Sequence, residues 1–299
     1  MIEVNNLSTS YRTMEGYTHV LKDLNFTIND NEIFGIAGES GCGKTTLLKV
    51  LYDITDFPLV VDRGEVILSG EHNGKDYRFA SGQIKDTWWD RISYVPQAAQ
   101  SVLNPILRVK EHFFDSLTKE QRREEDRILS EIGDYLEALG LNRKLLEAYP
   151  FQLSGGMRQR MVIALATSMH TDDVLADEPT TALDVVVQKE ILKLLMKLQK
   201  DSENCLVIVT HDMGVHYQIT DRMGVMYSGH MVEISDTEAV FKNALHPYTK
   251  MLVDSLPRVG DRSQKIGIPG RPPALDNPPK GCRFAPRCPK AMSICETTV

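Results

Sequence analysis

Gly38-Glu39-Ser40-Gly41-Cys42-Gly43-Lys44-Thr45 decides how this 299-residue chain is read. The apolar run Glu32-Ile33-Phe34-Gly35-Ile36-Ala37 before it reads as a buried strand, and Thr46-Leu47-Leu48-Lys49-Val50-Leu51-Tyr52 after it reads as a helix. Strand, glycine-rich turn and helix are the context that a phosphate-binding loop requires. Glycines let consecutive backbone N–H groups converge on one point, and the helix N-terminus adds its dipole. On this reading Gly38, Ser40, Gly41, Cys42, Gly43 and Thr46 surround the phosphates. Lys44 reaches the β- and γ-phosphates of a nucleotide, and Thr45 ligates Mg²⁺ through its hydroxyl.

Length and composition agree with a folded domain around this loop. The chain is long enough for one large or two medium domains. Hydrophobic and charged fractions of 42% and 25% are ordinary for a globular protein. The formal net charge of −7 argues against nucleic acid as a partner. No apolar run approaches the ~18 residues of a membrane span. Met1-Ile2-Glu3-Val4 is not a basic leader ahead of an apolar block, so a cytoplasmic location is expected, with any membrane association made through a partner. Cys42 and Cys205 stand alone, whereas Cys282, Cys288 and Cys295 cluster, a spacing that in a cytoplasmic protein suggests metal rather than disulfides.

Outward from the loop, Ile2–Leu7, Val20–Ile28 and Glu32–Ile36 read as short strands separated by Asn, Asp and Gly, and Val66–Leu68 and Ile92–Val95 as further strands. From about Val109 to His170 the pattern is helical. In Lys119–Leu139, Ile128, Ile132, Tyr135, Leu136 and Leu139 recur at three and four, and Glu and Arg fill the other, solvated face. Gly155–His170 is another helical candidate. Strand and helix then alternate: Val174–Ala176, Val185–Ser202, Cys205–Thr210, then Arg222–Tyr227 and Met231–Ile234. This predicts an α/β domain, about residues 1–240, with a helical subdomain inserted at about 98–170. Residues 256–289 are rich in proline and lack periodicity, so 241–299 reads as a loop-rich extension too poor in apolar residues for a core of its own.

Two further motifs carry chemistry. Val174-Leu175-Ala176-Asp177-Glu178-Pro179 is a strand ending in two carboxylates, which can place Asp177 near Mg²⁺ and Glu178 near an attacking water. Leu153-Ser154-Gly155-Gly156-Met157-Arg158-Gln159 puts a hydroxyl and exposed N–H groups at a helix start, which suits a γ-phosphate or a plain helix cap. In this order the motifs resemble those of the nucleotide-binding subunit of an ATP-binding cassette (ABC) transporter. The resemblance implies the P-loop NTPase cassette fold: a RecA-like core, an antiparallel β subdomain and an inserted helical subdomain. It makes Leu153–Gln159, with Ser154, Gly155 and Gly156, the signature sequence. It assigns Gln97 to the Q-loop, Ala182-Leu183-Asp184 to the D-loop, His211 to the switch and Tyr11 to the aromatic that stacks on adenine. Asp173 departs from the family pattern by shortening the apolar run before Asp177.

The C-terminal part narrows the resemblance. Leu245-His246-Pro247-Tyr248-Thr249-Lys250, Ile268-Pro269-Gly270-Arg271-Pro272-Pro273 and Gly281-Cys282-Arg283-Phe284-Ala285-Pro286-Arg287-Cys288-Pro289 are similar to the extension of oligopeptide and dipeptide permease ATPases, a group that includes nickel and oligosaccharide importers. Ser101, Leu103, Asn104 and Pro105 fit the same group. In that group four tail cysteines can hold a [4Fe-4S] cluster. Here Cys282, Cys288 and Cys295 supply three, so either the natural chain extends past Val299, or another ligand completes the site, or no cluster forms.

The resemblance implies ATP hydrolysis between two cassettes. Thr45 and Gln97 ligate Mg²⁺, Asp177 holds its water shell, Glu178 polarises the attacking water and His211 contacts the γ-phosphate. Ser154 and Gly156 act on ATP bound to the other cassette. The implied partners are a second cassette (a paralogue or a second copy), two transmembrane permease subunits and, indirectly, an extracytoplasmic substrate-binding protein, which together place the chain at the cytoplasmic face of the membrane. Peptide is the expected cargo, with oligosaccharide and nickel as alternatives. A soluble cassette ATPase of DNA repair or translation is the other class of reading. The single cassette, the acidic balance and the lack of a long heptad insert argue against it.

Overall fold

The computed structural model describes residues 1–69, 77–78, 84–98, 101–117, 121–169, 171–181, 183–257, 267–276 and 278–298. Lys119 and His170, the expected ends of two helices, and Ala182 of the D-loop lie outside the described residues. In chain order the elements are β1 (Ile2–Thr13), β2 (Gly16–Ile28), β3 (Ile33–Ala37), α1 (Lys44–Leu51), β4 (Leu59–Leu68), β5 (Tyr77–Arg78), β6 (Ile92–Val95), α2 (Val109–Ser116), α3 (Glu125–Ala138) and α4 (Gly155–Thr167). Then come β7 (Asp173–Asp177), α5 (Val185–Ser202), β8 (Cys205–Val209), α6 (Met213–Ile219), β9 (Arg222–Tyr227), β10 (His230–Asp236), α7 (Thr237–Asn243) and α8 (Pro247–Asp254). The chain forms two compact units, Met1–Asp86 with Val209–Val299, and Thr87–Ile208.

In the first unit an antiparallel sheet has the order β2-β1-β4-β5. β1 and β2 form a hairpin paired from Ile2↔Ile28 to Thr13↔Gly16. Both strands run further than their apolar stretches, because backbone pairing continues through residues such as Arg12 and Tyr17 that carry no burial pattern. β3 pairs in parallel with β9, from Phe34↔Arg222 to Ala37↔Val225, and β9 pairs antiparallel with β10. Every residue of β3 is buried, which explains its unbroken apolar run.

The core of this unit contains Ala37, Met213, Met223, Val225, Tyr227, Val240, Tyr248, Val253 and Phe284. Phe284 comes from the proline-rich C-terminal stretch. It is 1% exposed and lies edge-on to Tyr227, with ring centroids 5.1 Å apart, and against Tyr248 at 5.4 Å. The stretch thus shares the apolar interior built by β3, β9 and α8. His246 caps α8 by accepting from the Tyr248 N–H, and Pro247 occupies the first turn, where a missing N–H costs nothing. That helix start delivers Tyr248 to the core. Beyond Leu256 the described residues hold only short 3-10 turns, at Ala285–Arg287 and Ser293–Glu296.

The second unit contains strands in the order β8-β7-β6, with β6 parallel to β7 from Ile92↔Asp173 to Val95↔Ala176. Asp173 belongs to β7, although its charge interrupts the apolar run. Its carboxylate pairs with Arg91 Nε at 3.6 Å, both side chains being 2% exposed. The strand therefore has five buried residues instead of the three apolar ones legible in sequence. α3 buries Ile128, Ile132 and Leu136 and leaves its charged residues to solvent. Tyr135 ties it to α4 by donating to Thr167 Oγ1 at 2.7 Å.

Phe284→Ala should lower unfolding stability by about 3–4 kcal/mol, the usual cost of emptying a buried aromatic site. Urea denaturation of the full chain measures it, and a midpoint equal to wild type would show that the C-terminal stretch does not contribute to this core.

Candidate active site

In the first unit the buried strand β3 ends at Ala37 and the chain turns at Gly38, with φ 151°. A Cβ at position 38 would lie 2.3 Å from the Met226 carbonyl oxygen, so only glycine fits. Gly43, at φ 107°, is the N-cap of α1, and a Cβ there would meet Leu21 Cδ2 at 2.8 Å. No side chain caps α1, so its first-turn N–H groups face the loop rather than a capping residue. Lys44 is 6% exposed and its ammonium donates to the Gly38 and Glu39 carbonyls at 2.8 and 3.1 Å. The cation is thereby aimed into the loop, as a phosphate site requires. Ser40 and Gly41 are exposed and Thr45 is half-buried. Cys42 is buried, and burial pushes its thiol pKa up, with Lys44 opposing only in part. It fills space as an inert thiol. The Tyr11 hydroxyl is 3.3 Å from Thr46 Oγ1, which places the β1 aromatic beside the first turn of α1.

His211 is exposed, two residues after β8 ends. Its flanks are fixed: the Thr210 N–H donates to the Ile36 carbonyl at 3.4 Å, and Asp212 caps α6 by accepting from the Gly214 N–H at 2.8 Å. Behind this turn His216 is wholly buried and its Nε2 lies 3.1 Å from the Thr210 carbonyl. As the donor in that bond, Nε2 carries the proton, leaving Nδ1 facing the backbone at Gly35, where a Cβ would be 2.5 Å away. Burial lowers the His216 pKa to about 4, so the ring is neutral. Sequence reading passed over His216. A histidine within a short apolar helix carries no signal of its own in sequence, and the bond to Thr210 shows that it supports the turn bearing His211.

In the second unit Asp177 is the last residue of β7 and is fully buried. The Tyr94 hydroxyl of β6 donates to its Oδ2 at 3.2 Å. Burial and then the nearby Asp177 charge push the Tyr94 pKa up, so it remains a donor. Glu178 has the left-handed φ of 47°, an uncommon conformation for a residue with a side chain. Thr181 holds it there: its N–H donates to the Glu178 carbonyl at 3.1 Å and its hydroxyl to the Glu178 carboxylate. Gln159, in the signature helix, donates to the Pro179 carbonyl at 2.6 Å, linking α4 to the turn after Glu178. Gln97 is exposed just beyond β6.

Ser154 caps α4 by accepting from the Met157 N–H at 3.3 Å. Asp184 caps α5 by accepting from the Val186 and Val187 N–H groups, both at 3.0 Å. Gly156 allows the two helices to approach, since a Cβ there would meet Val187 Cγ1 at 2.9 Å. Ser154, Gly155, Gly156 and Asp184 thus line one surface cavity of about 620 Å³, with Arg160 and Val187 on its wall. The start of α4 lines this hollow and can offer N–H groups to an anion, whereas the Asp184 carboxylate caps α5 and Arg160 is paired with Glu190. The sequence motifs, read separately, did not show that the signature and D-loop residues share a cavity.

The C-terminal cysteines do not assemble in this way. The Cys282 N–H donates to the Cys295 carbonyl at 2.9 Å, and Cys282 and Cys288 pack against the core of the first unit. Among the described residues no group of three or more His, Cys, Asp and Glu side chains is placed to hold a metal ion. The geometry does not fit a cluster.

Comparison with known proteins gives concordant findings. A pattern described as ABC transporter matches residues 21–181, and one described as Oligopeptide/dipeptide transporter, C-terminal region, matches residues 232–295. A dipeptide transport ATP-binding protein of Caldanaerobacter subterraneus is 39% identical over 302 residues, covering 99% of this chain and 91% of that one. An oligopeptide transport ATP-binding protein of Salmonella typhimurium is 36% identical over 299 residues, covering 99% and 88%. A bacterial ABC transporter cassette solved as a dimer has TM-score 0.64 and 28% identity, covering 79% of this chain and 99% of that one. The same cassette in a post-hydrolysis state with ADP and Pi matches at TM-score 0.60 and 26% identity, with the same coverage.

The neutral, buried His216 generates a pH prediction. Its folded pKa of about 4 lies below the ordinary 6.5, so the unfolded chain takes up the proton first as pH falls. The contribution is full above pH 6.5 and is lost between 6.5 and 4, amounting to about 3 kcal/mol. Chemical denaturation at pH 7 and 4.5 should show a larger loss for wild type than for His216→Gln; equal losses would contradict the assignment.

Proposed function

The chain belongs to the ABC transporter family, whose cassettes bind and hydrolyse ATP, and from that premise we propose that it is the ATPase subunit powering import of dipeptides and oligopeptides. The observation that carries the ATPase part is the glycine loop with the buried Lys44 ammonium turned into it. The peptide part is supported by the named relatives, which are similar to this chain along almost its whole length. The match to the C-terminal region supports it further and disfavours the soluble repair and translation ATPases.

In this reading Lys44 and the loop N–H groups bind the β- and γ-phosphates and Tyr11 stacks on the adenine. Thr45, Gln97 and Asp177 offer the hard oxygen donors that suit Mg²⁺, which when bound neutralises phosphate charge. Glu178, held by Thr181, polarises the water for in-line attack, and His211 contacts the γ-phosphate. Phosphoryl transfer depends chiefly on positioning and charge stabilisation, so the supports behind these groups matter as much as the groups themselves. The cavity lined by Ser154, Gly156 and Asp184 receives the γ-phosphate of ATP held by a second cassette, which is a paralogue or another copy. The dimeric state of the related cassette supports that arrangement.

Two permease subunits are the further partners, and an extracytoplasmic binding protein selects the peptide. No helix among the described residues is long and apolar enough to cross a membrane. In this reading the chain sits peripherally, at the cytoplasmic face, held by its partners. Within the helical part, Phe151 stacks on Tyr149 at 5.6 Å while 69% exposed, and Ile106 is 78% exposed. These apolar side chains, close in sequence to Ser154 and Gln97 respectively, suit contact with a permease. We place the cassette in residues 1–240, with the helical subdomain at about 98–170 and the peptide-permease extension after 240.

Glu178→Gln keeps the shape of the site and removes the charge that polarises water. Turnover should fall by about 10² or more. The variant should still bind ATP and should elute from gel filtration as an ATP-bound dimer. Wild-type turnover in this variant would refute the role of Glu178.

A further inference from the structure

The C-terminal stretch does more than share the core of the first unit, because one of its side chains reaches the phosphate loop itself. Arg287 is buried, its side chain 5% exposed, and every N–H of its guanidinium is used. Nη1 donates to Glu39 Oε2 at 2.7 Å and Nη2 to Glu39 Oε1 at 3.0 Å, the two parallel bonds of a bidentate pair. Nη1 also donates to the Tyr227 hydroxyl at 3.1 Å. Nε and Nη2 donate to the carbonyls of Pro269 and Ile268 at 2.8 and 3.3 Å. Glu39 is the second residue of the glycine loop, and its backbone N–H donates to the Tyr248 hydroxyl at 3.0 Å. Tyr227 and Tyr248 meet Phe284 edge-on, three residues before Arg287. The loop is therefore gripped from the C-terminal side at both the main chain and the side chain of Glu39.

This grip has an electrostatic consequence. Glu39 carries a negative charge on the same loop that must receive the negative phosphates. With Arg287 in place the charge is matched at contact distance, and the loop offers its N–H groups and Lys44 to an anion without an unpaired carboxylate beside them. Without Arg287 the carboxylate would repel the incoming phosphates at close range in a partly buried site, where screening is weak.

We propose that Arg287 is a positioning residue for nucleotide binding: acting through Glu39, it fixes the phosphate loop and cancels the loop's own negative charge, so that the C-terminal region governs ATP affinity. This rests on the ATP reading above. It makes the C-terminal stretch a working part of the nucleotide site, and any displacement of residues 268–287 weakens ATP binding.

The test is calorimetric titration of Mg·AMP-PNP into the full chain, with thermal unfolding of each variant in parallel. Arg287→Ala should raise Kd by about tenfold or more, as expected when one member of a buried pair is removed. Glu39→Gln added to Arg287→Ala should restore most of the affinity, although it removes a second member of the network and does not restore thermal stability. A purely structural clamp predicts that the double variant binds as weakly as Arg287→Ala, and that result overturns the proposal, as does wild-type affinity in Arg287→Ala. If Arg287→Ala does not fold, Arg287→Lys and Arg287→Gln carry the test: the lysine variant should bind several-fold more tightly, and equal affinities overturn it. A wild-type chain that fails to bind Mg·AMP-PNP overturns the ATP reading, and the clamp with it. A binding wild type with unaffected variants overturns the clamp alone.

Discussion

A loop that offers several backbone N–H groups to one anion must keep side chains off its inner side and still hold its shape. Gly38 meets the first demand, because the Met226 carbonyl occupies the space where a Cβ would stand. The second demand falls on the surroundings. β3 is buried along its whole length and paired to β9, so the loop starts from a rigid edge. The ammonium of Lys44 then bonds the loop carbonyls, and α1 leads away with its first N–H groups uncapped by side chains.

Several charged groups in the candidate site are backed by a buried or half-buried polar contact. Tyr94 supports Asp177, Gln159 supports the turn after Glu178, His216 supports the turn carrying His211, and Arg287 and Tyr248 support Glu39. These supports restrict motion where the chemistry needs fixed distances, and a low-dielectric environment strengthens each of them. The arrangement also explains why Glu178 tolerates an uncommon backbone conformation: Thr181 bonds both its main chain and its carboxylate.

The local features of this molecule were legible in its sequence. The glycine loop, the strand before it, the acids ending β7 and the helix Val185–Ser202 all carry their signal within a few residues. What was illegible is non-local. Asp173 looked like an interruption until its buried partner Arg91 was seen. The hairpin of β1 and β2 outruns its apolar residues because exposed positions pair through the backbone. Helices α6, α7 and α8 are each seven or eight residues long, too short to show a helical period. The C-terminal stretch seemed unable to form a core, and its contribution depended on Phe284 meeting Tyr227 and on Arg287 meeting a residue 248 positions earlier. The three tail cysteines show the converse. Their spacing suggested a cluster, but spacing alone does not orient thiols, and the described residues do not bring them together as ligands.

The central claim is that this cassette powers a peptide importer, and its most direct test is gentle affinity purification of the chain from native membranes, with the co-purifying chains identified by mass. The account predicts two integral membrane subunits together with a second cassette, and ATP turnover by that assembly. Recovery of the chain alone, or with ribosomes or DNA, would contradict it.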